Sequence, residues 1–290
     1  MGQEKPIRLL KTFLQNETIP HALLFLGIDG VGKTTAAKAV AMACNCMARE
    51  KTHFSVKEGI RPVYGTKPDL AGKSEICGCC KSCSKIKTGN HPDMILVEPK
   101  GSFIRIDQIR NLCNILTMKP YEARLRVVII KDAQSMNPSA GNALLKVLEE
   151  PPDRTVLILT AMQTSDLLPT IVSRCQHIRF NPIPGKHLKT LLIEKQGADP
   201  ADAEIITIMA NGSYSKALSI ISHIKKSNWI KRRAWLLNEV ESLPLMSIPS
   251  CLAFAETLSK NKETLTDSLE VMKSWFRDLI VCRFHPARVM

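Results

Sequence analysis

No apolar run in this chain of 290 residues approaches the roughly 18 that a membrane span requires. The opening stretch MGQEKPIRLLKTF lacks the apolar core of a secretory signal, and its sixth position is Pro6 rather than the Ser or Thr of a myristoylation signal. A cytoplasmic protein with no membrane partner is therefore expected. Repeats and low-complexity tracts are also missing, and a composition 44% hydrophobic and 23% charged argues against disorder. Acidic residues are in short supply, 27 against 40 basic ones, which leaves a net charge of +13. Such an excess favours a polyanion, above all nucleic acid, through release of counterions from bound phosphates. Clusters such as HIKKSNWIKRR (223–233) also read as ordinary solvated helix faces.

Disulfides are not expected either, because a cytosolic chain keeps its ten cysteines reduced. Their clustering points to metal instead. The stretch CGCCKSC holds Cys77, Cys79, Cys80 and Cys83, with Cys44 and Cys46 further upstream. Zinc takes four soft ligands in a tetrahedron, and the C-x-x-C-x-x-C of Cys77, Cys80 and Cys83 can supply three. Cys46 is the best candidate for the fourth, since the polar stretch 49–75 can loop out and return the chain to the cluster. Cys79 is too close to its neighbours for a comfortable fourth ligand, though it could replace one. With four thiolates and no open position, the Zn2+ would be structural.

Apolar runs suited to buried parallel strands occur at 22–27, 94–99, 126–130, 155–160 and 177–180, separated mostly by stretches of helical length. This alternation predicts an α/β domain with a five-stranded, mostly parallel sheet. The helix NPSAGNALLKVLEEPP has Asn137 as its N-cap and Pro138 at its first position, and it stops at a double proline. Beyond NPIPGKH the strand signal ends, and helices are predicted near 186–196, 200–210, 214–223, 228–242, 247–259 and 263–282. Residues 49–75 read as an exposed insertion.

Between the first strand and the following helix lies GIDGVGKTT, which fits G-x-x-x-x-G-K-[ST]. Gly27, Gly30 and Gly32 let backbone N–H groups turn toward phosphate oxygens, and Lys33 reaches the outer phosphates. Thr34 completes the motif and offers a hydroxyl to Mg2+, and Thr35, next along the helix start, is a further candidate for nucleotide contact. ATP or ADP is the expected ligand, with a relic loop of no useful affinity as the plainer alternative.

The ordered string HALLFLGIDGVGKTT, the four-cysteine module leading into GNHPDMILVEP, IRIDQIRNL, NALLKVLEEPP and LLPTIVSRCQHIRF resembles the bacterial DNA polymerase III clamp-loader family. That resemblance implies an AAA+ module at 1–181 with a zinc module at about 44–90, a helical lid at 182–224 and an all-α collar for oligomerisation at 225–290. It implies a hetero-pentamer with gamma/tau and delta subunits, acting on a sliding clamp and primed DNA. It also implies that Arg174, of the SRC motif, acts in trans on ATP bound by a neighbouring subunit.

Within that family the chain looks like the delta-prime stator rather than the gamma/tau motor. Lys131 stands where the motor has a magnesium-ordering Asp, and Asp132 stands in place of its Glu. Ala161 and Met162 replace a polar sensor, and Ser215 replaces the lid Arg, with Lys216 about 100° away on a helix. Own ATP hydrolysis is therefore not expected. The chain departs from delta-prime relatives in Lys131 itself, in a longer insertion and in a collar that ends early. A gamma/tau-like motor using Glu98 or Asp132 to hold magnesium is the alternative; a P-loop small-molecule kinase fits the cysteine knot and helical tail poorly.

Overall fold

In the computed structural model, residues 2–48, 55–57, 76–226, 229–260 and 262–284 are described. Two compact units emerge, Met1–His187 with Gly212–Tyr214, and Leu188–Asn211 with Ser215–Met290.

The first unit opens with helix α1 (Glu4–Gln15), strand β1 (Thr18–Pro20) and strand β2 (Ala22–Leu26). Helix α2 (Lys33–Asn45), strand β3 (Ser55–Lys57), helix α3 (Lys81–Thr88) and strand β4 (Met94–Val97) follow. Then come α4 (Ile106–Leu116), β5 (Arg126–Ile130), α5 (Pro138–Glu149), β6 (Thr155–Ala161), the short α6 (Pro169–Val172) and β7 (Gln176–Arg179). The main sheet runs β4-β5-β6-β2-β7 with every pairing parallel, the five-stranded parallel sheet that the apolar runs predict.

Alternate residues of each strand feed opposite faces, which is why the central strands β2, β5 and β6 are largely apolar and buried throughout. Leu24, Val128, Ile130, Leu157 and Leu159 pack with Ile109 and Leu112 of α4 and Leu144 and Leu148 of α5. Their neighbours Leu23, Phe25, Val127, Ile129 and Ile158 pack with Phe13 and Leu14 of α1 and Ala37 and Val40 of α2. Asn137 caps α5 as its sequence predicts, accepting the Ala140 N–H at 2.8 Å. Parallel strands end at one edge of the sheet, so the turns after β2, β5 and β6 gather there.

One element was not predicted: within the 49–75 insertion, Ser55–Lys57 pairs parallel to Thr18–Pro20. A strand of three residues is too short for a period-two pattern to register in sequence. The remainder of the insertion, and residues 227 and 228 of the basic cluster, lie outside the described residues.

The second unit is helical among its described residues. It carries most of α7 (Gly185–Gln196), with α8 (Pro200–Ala210), α9 (Tyr214–Lys226), α10 (Trp229–Ser242), α11 (Ile248–Ser259) and α12 (Lys262–Phe284). Leu236, Val240, Leu258 and Val271 form one buried cluster in it, with Trp235, Phe254 and Trp275 packed against that cluster. No helix among the described residues is long and apolar enough to cross a membrane.

Candidate functional site

The phosphate loop leaves β2 at Gly27, whose N–H donates to the carbonyls of Ala161 and Met162 at 3.2 and 3.1 Å. Gly27 has φ +147, and a Cβ there would lie 2.4 Å from the Phe180 carbonyl oxygen. Glycine is thus required at position 27 by the close approach of the β7 end, a reason distinct from the phosphate cradling expected of it. Gly30 accepts a hydrogen bond from the Tyr214 N–H at 3.0 Å. Gly32 is the N-cap of α2, so Lys33, Thr34 and Thr35 form that helix's first turn, where N–H groups and the helix dipole favour anions. Thr34 is half-buried and Thr35 exposed.

Lys33 is only 5% exposed. Its ammonium donates to the Gly27 carbonyl, to the Ile28 carbonyl at 3.1 Å and to Asp29 Oδ1 at 3.4 Å. Asp29, an unconstrained position of the motif, is therefore a partner of its lysine that sequence reading passed over. A bound phosphate competes with these three acceptors for the same ammonium.

Strand register brings the second half of the site alongside. Ile130 of β5 pairs with Leu159 of β6, which pairs with Leu24 of β2, so Lys131 and Asp132 emerge level with the last residues before the loop. Lys131 Nζ lies 3.1 Å from Glu98 Oε1, just past β4. The hydrogen bond to Glu98 raises the lysine above its ordinary range despite partial burial, and the charges of Glu98, Asp132 and Asp29 add to this. Asp132 takes a left-handed conformation, φ 53, and its N–H donates to buried Thr160 Oγ1 at 3.1 Å. Burial, then the charge of Asp29, raises its carboxyl above the usual range. Ala161 ends β6 fully buried and apolar, and Met162 is exposed.

Arg174 follows α6 in the turn into β7. Its guanidinium pairs with Glu149 Oε1 at 2.8 Å, at the C-terminal end of α5, and donates to the Thr170 carbonyl at 3.0 Å. Ser215 is the second residue of α9.

The cysteines predicted to share a metal meet. The sulfurs of Cys46, Cys77, Cys80 and Cys83 all lie within 4.8 Å of one another, and Cys79, exposed, is outside the group. Tetrahedral zinc with Zn–S near 2.3 Å places its sulfurs about 3.8 Å apart, so the four sulfurs fit such an ion. Gly78 has φ +69, which lets the chain reverse between Cys77 and Cys80. The N–H of Cys80 donates to Cys77 Sγ at 3.3 Å and that of Cys83 to Cys80 Sγ at 3.5 Å. Backbone N–H groups of Cys80 and Cys79, helped by the Cys46 thiol, lower the Cys77 thiol to about 6, toward the thiolate a soft metal binds. Burial pushes the Cys83 thiol up.

An ionic cluster ties α3 to residues 119–126. Lys85 Nζ meets the Glu122 carboxylate at 2.6 and 2.7 Å. Asp93, almost fully buried, accepts the N–H groups of Tyr121, Glu122 and Ala123, each at 2.8 Å, and faces Arg126 at 3.5 Å. Burial alone would raise the Asp93 carboxyl, but these N–H groups and the Arg126 guanidinium hold it below the usual carboxylate range. Burial lowers the pKa of His91, against the opposing charge of Glu122.

The family model described as DNA polymerase III, delta subunit, matches residues 2–184. DNA polymerase III subunit delta' of Bacillus subtilis (strain 168) is 34% identical over 209 residues, covering 72% of this chain and 56% of that protein. Subunit tau of the same organism is 31% identical over 226 residues, covering 76% of this chain and 36% of that protein. The chain thus spans 56% of the delta' relative's length and 36% of the tau relative's. A crystal structure of a DNA polymerase III gamma subunit-related protein from Thermotoga maritima, 22% identical, overlays with a TM-score of 0.41 over 89% of this chain and 75% of that one. With its phosphate loop, parallel sheet and cysteine cluster all inside the matched span, this chain belongs to the DNA polymerase III delta subunit family.

Proposed function

We propose that the chain is a delta-prime type stator of a cytoplasmic DNA polymerase III clamp loader, holding nucleotide without hydrolysing it and lending Arg174 to a gamma/tau neighbour. One observation carries this reading. Beside an intact phosphate loop, the position that should order magnesium is a lysine locked to Glu98 at 3.1 Å. A cation there opposes a second cation; of the acids outside that pair, Asp29 is bound to Lys33 and Asp132 is shifted toward its protonated form. Arg174 has an exposed bond to the Thr170 carbonyl and a half-exposed surface pair with Glu149 to give up, the pair being a contact of about 1 kcal/mol or less, so reaching a partner's phosphate costs little. The Cys46, Cys77, Cys80 and Cys83 group would hold structural Zn2+, which supplies cross-linking and no chemistry. Partners in this reading are gamma/tau and delta in a hetero-pentamer, with the sliding clamp and primed DNA engaged through the assembly.

The likeness to a protein named tau favours a second reading, an ATPase motor with altered metal ligands. Turnover measurements separate the two. As a stator, the purified chain shows no DNA-stimulated ATP hydrolysis, and Arg174→Ala leaves its own nucleotide affinity unchanged while lowering turnover of the assembled loader by about a thousandfold at the affected site. Robust hydrolysis by the isolated chain, abolished by Lys33→Ala, would establish the motor instead.

A further inference from the structure

Resting on the reading of the phosphate loop as a nucleotide site, we infer that this loop binds the free, magnesium-less form of its nucleotide, with the Lys131 ammonium serving as the built-in counter-cation. The residues do not fit a bound Mg2+. An octahedral hard cation at this site needs a carboxylate at the end of β5, and Lys131 occupies that place. Glu98, the neighbouring carboxylate across the sheet edge, already binds Lys131 Nζ at 3.1 Å. Of the remaining carboxylates, Asp29 pairs with Lys33 at 3.4 Å, and Asp132 lies one position past Lys131 with its backbone left-handed and tied by its N–H to Thr160.

The same residues supply what magnesium would. A nucleotide polyphosphate brings several negative charges, and the loop answers with Lys33, with the N-terminus of α2 and, across two strand spacings, with Lys131. Glu98 orients the Lys131 side chain and takes one of the ammonium's three N–H donors, leaving two for phosphate oxygens. Asp29 works in the opposite direction. As the Lys33 partner inside the loop it repels phosphate, which makes a second fixed cation the more necessary. Added Mg2+ competes with Lys131 for the same phosphate oxygens and also draws nucleotide into a complex the site does not prefer. Affinity is therefore flat or falling as magnesium is added, the reverse of a P-loop motor.

Equilibrium titration of the full chain with a fluorescent ADP analogue, once in excess EDTA and once in millimolar MgCl2, tests this. The expected result is an affinity in EDTA equal to or tighter than that in magnesium. Lys131→Met is expected to weaken binding in EDTA by about tenfold, and Lys131→Asp to make binding at least about tenfold tighter with magnesium than without. Lys131 is substantially exposed, so both variants should fold, and far-UV circular dichroism confirms it. Wild-type binding that is lost in EDTA and restored by magnesium overturns the inference while leaving the nucleotide site standing. Binding in neither condition overturns both.

Discussion

Asp93 shows how much one buried charge can organise. Its carboxylate gathers three consecutive backbone N–H groups at 2.8 Å and faces Arg126, so the loop before β5 is shaped around it. Asp93→Asn keeps the shape but leaves Arg126 buried beside a neutral amide, and should cost about 3 kcal/mol at neutral pH, read by urea unfolding. Because the native carboxyl lies below its unfolded value, its contribution is fully present above the unfolded pKa and is lost as pH falls through the native one. The wild-type stability curve should therefore drop more steeply than the variant's on the acid side of about pH 4. Parallel curves would rule out this role. Nothing in GNHPDMILVEP announces Asp93 as a hub, since its partners lie 28 to 33 residues later. Gly27 makes the same point: its motif was legible, yet the contact that demands glycine is with Phe180, far along the chain.

Elements were far more legible than contacts. Strands fully buried on both faces are continuous apolar runs, and β5 and β6 were readable as such. Helix α5 is marked at its start by Asn137 and Pro138, and α8 by Asp199, which accepts the Ala201 N–H at 3.1 Å, and Pro200. The pairing of β1 with β3 was not legible, because it is set by two three-residue segments separated by β2, the phosphate loop, α2 and part of the insertion. At the cysteine module, spacing predicts three ligands and the returning insertion predicts Cys46 as the fourth, and the sulfurs of those four residues come together. Cys46→Ser should accordingly lower bound zinc well below one equivalent per chain, measured by elemental analysis, whereas Cys79→Ser retains it. Equal loss from both variants would mean that the exposed Cys79 enters the metal shell.

Over the whole molecule, each unit has its own apolar core: two clusters on the faces of the sheet in one, and the Leu236, Val240, Leu258 and Val271 cluster in the other. Calorimetry should resolve more than one unfolding transition, with the metal linked to only one of them. A chelator is expected to lower the transition of the sheet unit by about 5 °C and leave the helical unit in place. A single transition that moves as a whole would mean the units unfold together. The path of the chain adds a consequence for how the molecule is made. Gly212–Tyr214 belongs to the sheet unit although the chain has meanwhile passed through α8, and there the Gly212 carbonyl accepts the Ile183 N–H and Tyr214 donates to Gly30. During synthesis, then, the phosphate loop leaves the ribosome long before the residue that fastens it, and the loop acquires its final bond only after translation has gone past α8.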